Sequence, residues 1–503
     1  MSVLKKLLGE TLIYGLSVAL SSLVGFFLLP IYTRSFTPSE YGAIAMVNTS
    51  TTLVGIFVVF GLDNSSAIWF WEKPEPEERS RTFSTWLVFT TGAAALAAAI
   101  AFALKGPLAT WLLKDSSLSG LWTLFAANIV AVNVSRIGVL WYRMQRRPAL
   151  AVVLTGLTSV GTAVGGIVCV VKLKMGLPGV LWGQVVGSWV SLVATMILLR
   201  GVLVPTRFDR ERLPPMLKLS APLVLMTNLS WLMGSAITPA VNLMLSRADA
   251  GLYQVASSLA SLLGLIIFAF DQAWAPFALG IRDAAVARRV YGVAVEVATA
   301  LGLLLAFSMA AFALPILQIM TRAQYTDAQW VLAILGLNTV VANIPAVLSV
   351  TFAREKQTRP LAKATAFGVV VTALAFLGLA PIFGKEGAAA AVVLGSIVVL
   401  ASAFRDSQKV FPIDVGYARL GLTLVLTVGW TVALVATRGL TVRLGPMIAH
   451  RSLLCVTLLA VVVLVYRGPL RAALAEGRAA RAKAAAEPEP EPEGEAPPAE
   501  DAG

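Results

Sequence analysis

Fourteen apolar windows of about 20 residues follow one another along this chain, and few folds can accommodate them. Each is long enough to cross a hydrocarbon core of about 30 Å as a helix rising about 1.5 Å per residue. They run over residues 10–31, 41–62, 83–104, 118–140, 149–171, 178–199, 218–245, 251–279, 290–314, 329–352, 361–383, 386–404, 416–437 and 448–466. Lipid offers no partner to a free N–H or C=O, so segments that close their own backbone hydrogen bonds are required. The expectation is an all-α integral membrane protein of about 14 transmembrane helices. Charged residues occupy only 13% of 503 positions, about half the share in a soluble domain. The first window follows Lys5 and Lys6, exceeds a signal-peptide core and lacks a cleavage site, so it reads as a retained span.

A second pattern lies on top of the first. Tyr41 returns as Tyr253 and Arg147-Pro148 as Arg359-Pro360, both 212 positions later. Phe60, Asp63 and Asn64 return as Phe268, Asp271 and Gln272 after 208, as do Gly179, Gly187 and Ser188 at Gly387, Gly395 and Ser396. Landmarks in one register, with slips that loops absorb, indicate a duplicated unit of about 200 residues. Duplicated halves in an apolar chain are the architecture of secondary transporters, with the substrate path between the lobes. The divisions expected are an N-lobe at 1–199, a linker at 200–217, a C-lobe at 218–405, an appended helix pair at 406–466 and a tail at 467–503. Residues 467–486 read as a short basic helix, and the tail from about Glu487 reads as disordered, with seven acids and no base.

Basic residues set the orientation. With a cytoplasmic N-terminus, 28 of the 40 Lys and Arg fall on cytoplasmic segments and 11 on the opposite side, with Arg136 inside a span. Both termini are therefore expected in the cytoplasm, and Lys114, Asp249 and Lys385 outside. The net charge of +13 follows from this asymmetry and argues against a nucleic-acid partner. Cys169 and Cys455 fall within spans and suggest neither a disulfide framework nor a metal pair. No phosphate loop, zinc-ligand cluster or nucleophile elbow occurs, and the outer loops are too short for a catalytic domain. No cofactor is expected, and a membrane glycosyltransferase or polymerase acting on a lipid carrier is disfavoured.

A charge at membrane depth costs a few kcal/mol or more, so each such residue needs a reason. Asp63 and Asp271 fall near the cytoplasmic ends of spans 2 and 8. They read either as gating or ion-coupling groups for H+ or Na+, or as polar helix ends. Arg136 stands two turns before Arg143, and such a pair offers a fork to a diphosphate or snorkels to the interface. Arg34 and Arg247, at near-equivalent places in the repeat, are candidates for the transport path or plain topology residues. Trp69 and Trp274 either stack on sugar rings or belong to an interfacial aromatic belt. Glu296, after Arg288 and Arg289, reads as a snorkelling ion-pair partner.

Three segments carry a resemblance. LLPIYTRSFTPSEYGAIA from Leu28, FDQAWAPF from Phe270, and KQTRPLAKATAFGVVVTALAFLGLAPIFGKEGAAAA from Lys356 resemble the Wzx-type polysaccharide flippases. These belong to the multidrug/oligosaccharidyl-lipid/polysaccharide exporter superfamily. The resemblance spans roughly residues 8–405. It implies two pseudo-symmetric six-helix lobes around a central cavity, a C-terminal helix pair and alternating access. It also implies a cargo of undecaprenyl-diphosphate-linked oligosaccharide, moved to the outer leaflet of a bacterial inner membrane for O-antigen or exopolysaccharide assembly. A polysaccharide polymerase and chain-length machinery are the implied partners. Where relatives place an arginine after the span 2 Gly-Leu motif, this chain has Ala67-Ile68-Trp69. A cation-coupled drug exporter or a peptidoglycan-precursor flippase of the same superfamily remains the alternative.

Overall fold

The computed structural model describes residues 23–72, 75–357, 359–437 and 444–486. The start of the first span and the acidic tail lie outside the described residues. Every regular element described is helical. In chain order these are α1 (Leu23–Ser35), α2 (Pro38–Val59), α3 (Leu62–Glu72), α4 (Pro76–Ala103), α5 (Lys105–Leu112), α6 (Gly120–Met144), α7 (Pro148–Ile167) and α8 (Leu177–Leu198). There follow α9 (Leu213–Gly234), α10 (Ile237–Met244), α11 (Arg247–Leu279), α12 (Ala284–Met320), α13 (Gln329–Arg354), α14 (Arg359–Val410), α15 (Tyr417–Ala436) and α16 (Leu444–Ala486). Among the described residues, 11 helices are long and apolar enough to cross a membrane. One of them, the 52-residue α14, is two spans joined at Gly384. Adding α1 and the α9–α10 pair gives each of the fourteen windows a helical counterpart.

Duplication is written in the backbone as well as in the sequence. Thr37 caps α2 by accepting from the Glu40 amide, and Ser246 caps α11 by accepting from the Asp249 amide. In each case the acid three residues on bonds back to the cap, Glu40 Oε2 from the Thr37 amide at 2.8 Å and Asp249 Oδ2 from the Ser246 hydroxyl at 2.6 Å. These caps stand 209 positions apart. Gly176 (φ 65°, ψ −144°) and Gly384 (φ 63°, ψ −141°) share a conformation closed to other residues and open the last helix of each lobe. Arg146 and Lys356 end α6 and α13 in the same left-handed turn, at φ 54° each.

The register corrects one pairing. Arg34 lies at the C-terminal end of α1 and Arg247 begins α11, so the two are not repeat equivalents. Tyr41 and Tyr253 likewise stand one turn apart from the 209-residue register of the caps. The halves also differ where the aspartates sit. Phe60 (φ 49°) and Gly61 (φ 68°) break α2 from α3, placing Asp63 in a first turn, whereas α11 runs unbroken past Asp271.

We call the end carrying Thr37 and Ser246 the cap end, and the opposite end, with Arg143 and Arg212, the basic end. The lobes meet at the cap end. Gly42 of α2 lies against the Arg247 carbonyl and Gly251 of α11 against the Pro38 carbonyl, so close that a Cβ at either position would overlap it. Tyr325 donates to the Phe36 carbonyl at 3.0 Å and Arg34 to the Ile319 carbonyl at 2.9 Å. Arg247 donates to Ser39 Oγ at 2.9 Å and the Leu113 carbonyl at 2.8 Å. It also lies 3.7 Å from Asp115. Two hydrogen bonds from Ser117, aided by Arg247, hold Asp115 below the usual carboxylate range, so its carboxylate is ionised at neutral pH.

At the basic end the inter-lobe linker is strapped to α4. Arg212 reaches Glu78 Oε2 at 2.6 Å and Thr82 Oγ1 at 2.8 Å, and Ser80 donates to the Val202 carbonyl. The C-terminal pair, α15 and α16, leans on α12. Glu296 of α12 is fully buried and accepts from Arg419 Nε at 2.7 Å, Arg419 Nη2 at 2.9 Å and the Gly416 amide at 2.6 Å. Its partner is therefore on α15, not at Arg288 or Arg289. Thr423 and Tyr466 join the two helices at 3.0 Å, and Arg451 ties α16 to the Ala311 carbonyl.

Candidate functional site

Beneath the closed cap end, α1, α2 and α8 face α9, α10 and α11 across a cavity of about 620 Å³. Neutral polar groups and apolar side chains such as Phe26, Leu29 and Leu262 share its walls. Asn48 and Thr52 project from α2, Gln184 from α8, Thr238 from α10, and Gln254 and Ser258 from α11. These groups are held before any ligand arrives. Gln184 Nε2 donates to Asn48 Oδ1 at 2.9 Å. On the other lobe Thr238 donates to Gln254 Oε1 at 3.1 Å, and Gln254 Nε2 reaches Ser258 Oγ at 3.4 Å. Asn48 and Gln184 each spend one end of the amide on the other, whereas Gln254 is held at both its oxygen and its nitrogen; each amide still has an N–H or a lone pair beyond these bonds. Tyr32 and Tyr41 add aromatic faces to the wall.

Reading only charges and aromatics missed these amides. Their signal was an isolated Asn or Gln inside an apolar window, which costs less than a charge and is easily passed over. Why they converge is a matter of helix direction. Asn48 lies about three turns into α2 from its cap, and Gln254 about two turns into α11. Because the glycine contact crosses these helices at their caps, both amides lie just beneath the crossing.

None of the sequence candidates lines this cavity. Arg136 and Asp63 come together elsewhere, with Nη2 and Oδ2 4.0 Å apart. They line a separate cavity of about 350 Å³ in the N-lobe, with Arg143 of α6 and Thr155 and Ser159 of α7. The pair is loose. Arg136 is 57% exposed, and Asp63 also accepts from the Asn64 amide and side chain at 3.0 and 3.2 Å. A guanidinium held at this distance retains most of its donors for an incoming anion. Trp69 has the Arg212 guanidinium over its ring at 5.7 Å. Trp274 is buried in the C-lobe, where its N–H donates to the Val347 carbonyl at 3.1 Å and its ring stacks on Phe270. Arg34 and Arg247 serve the cap-end contact already described.

Asp271 has a buried Oδ1 with no hydrogen-bond partner among the described residues. A partnerless carboxylate oxygen inside a helical span is costly and rarely retained without use. Asp271→Asn is expected to leave membrane abundance within about twofold of wild type while cutting transport severalfold. Quantitative immunoblotting beside a transport assay checks this, and wild-type transport at normal abundance would reduce the residue to an interface group. Among the described residues no group of three or more His, Cys, Asp or Glu is placed to hold a metal.

Comparison with known proteins agrees with the geometry. A family model described as "Polysaccharide biosynthesis protein" matches residues 31–330, more than half the chain. No curated protein matches. Among solved structures, the lipid II flippase MurJ in an inward closed conformation is similar with a TM-score of 0.74 at 12% identity. That match covers 91% of this chain and 99% of MurJ. An inward-facing multidrug resistance MATE family transporter is similar with a TM-score of 0.63 at 16% identity, covering 80% and 95% of the two chains. A point mutant of the Vibrio cholerae MATE transporter VcmN gives 0.56 at 16%, covering 80% and 96%. At these identities the likeness is one of fold.

Proposed function

We propose a function from one premise: the chain belongs to the polysaccharide biosynthesis protein family. Its helices take the fold shared by MurJ and the MATE transporters, all of the multidrug/oligosaccharidyl-lipid/polysaccharide exporter superfamily. On our reading it is a flippase and not an enzyme. It moves a polyprenyl-diphosphate-linked oligosaccharide from the cytoplasmic to the outer leaflet of a bacterial inner membrane by alternating access, for assembly of a surface polysaccharide. The observation that carries this is the hydroxyl- and amide-lined cavity between two duplicated lobes, sealed at the cap end. The excess of Lys and Arg on one side supports a basic end in the cytoplasm together with both termini, and on this reading the closed cap end is the outer gate.

Two parts of the cargo then meet two chemistries. Sugar hydroxyls face Asn48, Gln184 and Gln254, which donate and accept. The diphosphate is met at the basic end by Arg136 and Arg143, which line one cavity and are spaced to share it. Asp63 competes for Arg136 only weakly, so it keeps the arginine oriented when no cargo is bound.

Moving about two negative charges outward across a potential negative inside is worth on the order of 4–5 kcal/mol per 100 mV if both cross the full field. That suffices to drive turnover without an obligatory ion. The partnerless oxygen of Asp271 is the observation favouring a second reading, in which H+ or Na+ is carried in exchange, as in a cation-coupled exporter.

Reconstituted vesicles test the first reading. Arg136→Ala is expected to slow flipping of a diphosphate-linked glycan by about tenfold or more, and Arg136→Lys by less, because lysine keeps the charge but loses the fork. If both variants flip at the wild-type rate, Arg136 is a snorkelling residue and the diphosphate is bound elsewhere.

A further inference from the structure

The central cavity has a property that goes beyond lipid-linked glycans in general and rests on the flippase reading. It holds hydroxyls and amides from both lobes, and among the described residues no charged side chain lines it. This neutrality does not depend on how individual side chains are placed. Residues 11–33 of the first span, 41–62 of the second, 177–199 of the sixth, 219–246 of the seventh and 250–270 of the eighth contain no Asp, Glu, Lys, Arg or His. The described parts of these five spans that line the cavity therefore present a neutral wall. Arg136 and Arg143 line a different cavity, and Arg34 and Arg247 are committed to carbonyls of the cap-end contact.

We infer that the central cavity selects uncharged sugars, reading their hydroxyls through the Asn48–Gln184 pair on one lobe and the Thr238–Gln254–Ser258 chain on the other.

Two physical points carry this. Amides oriented by bonds to their neighbours, at one end for Asn48 and Gln184 and at both for Gln254, present their remaining N–H groups and lone pairs at fixed spacing, which suits vicinal hydroxyls that both donate and accept. Because the 2.9 Å bond between Gln184 and Asn48 lies within one lobe, and the 3.1 Å bond between Thr238 and Gln254 within the other, opening between the lobes leaves both sets intact. The second point is electrostatic. A sugar carboxylate entering this cavity loses hydration and meets no cation, and an unpaired buried charge is far more costly than a hydrogen-bonded hydroxyl. The diphosphate escapes that cost because its cations lie toward the basic end. Cargo charge is thus permitted at the lipid end of the molecule and disfavoured at the glycan end.

The full chain in vesicles, given two diphosphate-linked oligosaccharides that differ only by a hexose replaced with a uronic acid, decides the matter. The neutral cargo is expected to flip about tenfold faster or more. Gln184→Lys, with Gln254→Lys as the substitute if the first does not accumulate in the membrane, is expected to narrow or invert that ratio by supplying the missing cation. Equal rates for the two cargoes in the wild type, or faster transport of the acidic one, overturn the selectivity while leaving the flippase reading in place. Failure of both cargoes to move overturns the flippase reading, and the selectivity with it.

Discussion

Arg419→Met is expected to lower unfolding stability by about 3–5 kcal/mol, the usual consequence of stripping one partner from a buried ion pair. The loss arises at Glu296, not at the arginine. Glu296 is wholly inaccessible and its two oxygens are taken by Arg419 and the Gly416 amide. Without Arg419, one hydrogen bond from a backbone amide is left to hold a carboxylate inside a helical bundle. Stability of the detergent-solubilised protein, followed by thermal inactivation and by membrane abundance, should fall sharply. The double variant Glu296→Gln with Arg419→Met should recover most of the loss, because no charge then remains buried. A single variant as stable as wild type would mean that water reaches Glu296 and that α15 docks by apolar contact alone. Since α15 and α16 attach to the lobe through α12, the effect should appear as loosening of that pair before the rest unfolds.

Length and polarity of the fourteen windows dictated the fold class, because lipid leaves helices as the only economical answer. Repeat landmarks pointed to two halves, and the paired helix caps at Thr37 and Ser246 and the Gly176 and Gly384 turns carry that duplication into the backbone. The offset was less legible. Tyr41 and Tyr253 match in type but stand one turn out of register with the caps, whereas Thr37 with Ser246 and Glu40 with Asp249 share a task at a helix start. Similar chemistry in unlike letters is harder to see than identical letters. The site was read through its charges and aromatics, and these went elsewhere: Arg34 and Arg247 to the cap-end contact, Arg136 and Asp63 to a separate cavity, Trp69 beside Arg212 and Trp274 into a lobe core. The cavity is made by amides whose meaning depends on which helices cross, and no local pattern reports a crossing 200 residues away. Glu296 shows the same limit, since its nearest cations in sequence are Arg288 and Arg289 and its partner in space is Arg419.

The crossing itself supplies the other large effect. Gly42→Val and Gly251→Val should each cut transport by about a hundredfold while leaving the protein in the membrane. At both positions a Cβ would fall on a backbone carbonyl of the opposing helix, Arg247 for Gly42 and Pro38 for Gly251. A backbone atom at a helix start cannot turn aside as a side chain can, so the two helices must part. Parting breaks the state in which the cap end is shut, and it does not disturb the packing inside either lobe. The variants should therefore accumulate normally with the cap end held open. A cysteine introduced at Asn48, labelled by a membrane-impermeant reagent from the side of the cap end, should react faster in Gly42→Val than in the wild-type background. Gly92→Val is the matching control, because nothing lies within 4 Å of a Cβ at that position, and it should change neither labelling nor transport. If Gly42→Val transports normally and leaves the Asn48 position as protected as before, the cap-end contact is no gate, and access to the cavity must be controlled at the basic end.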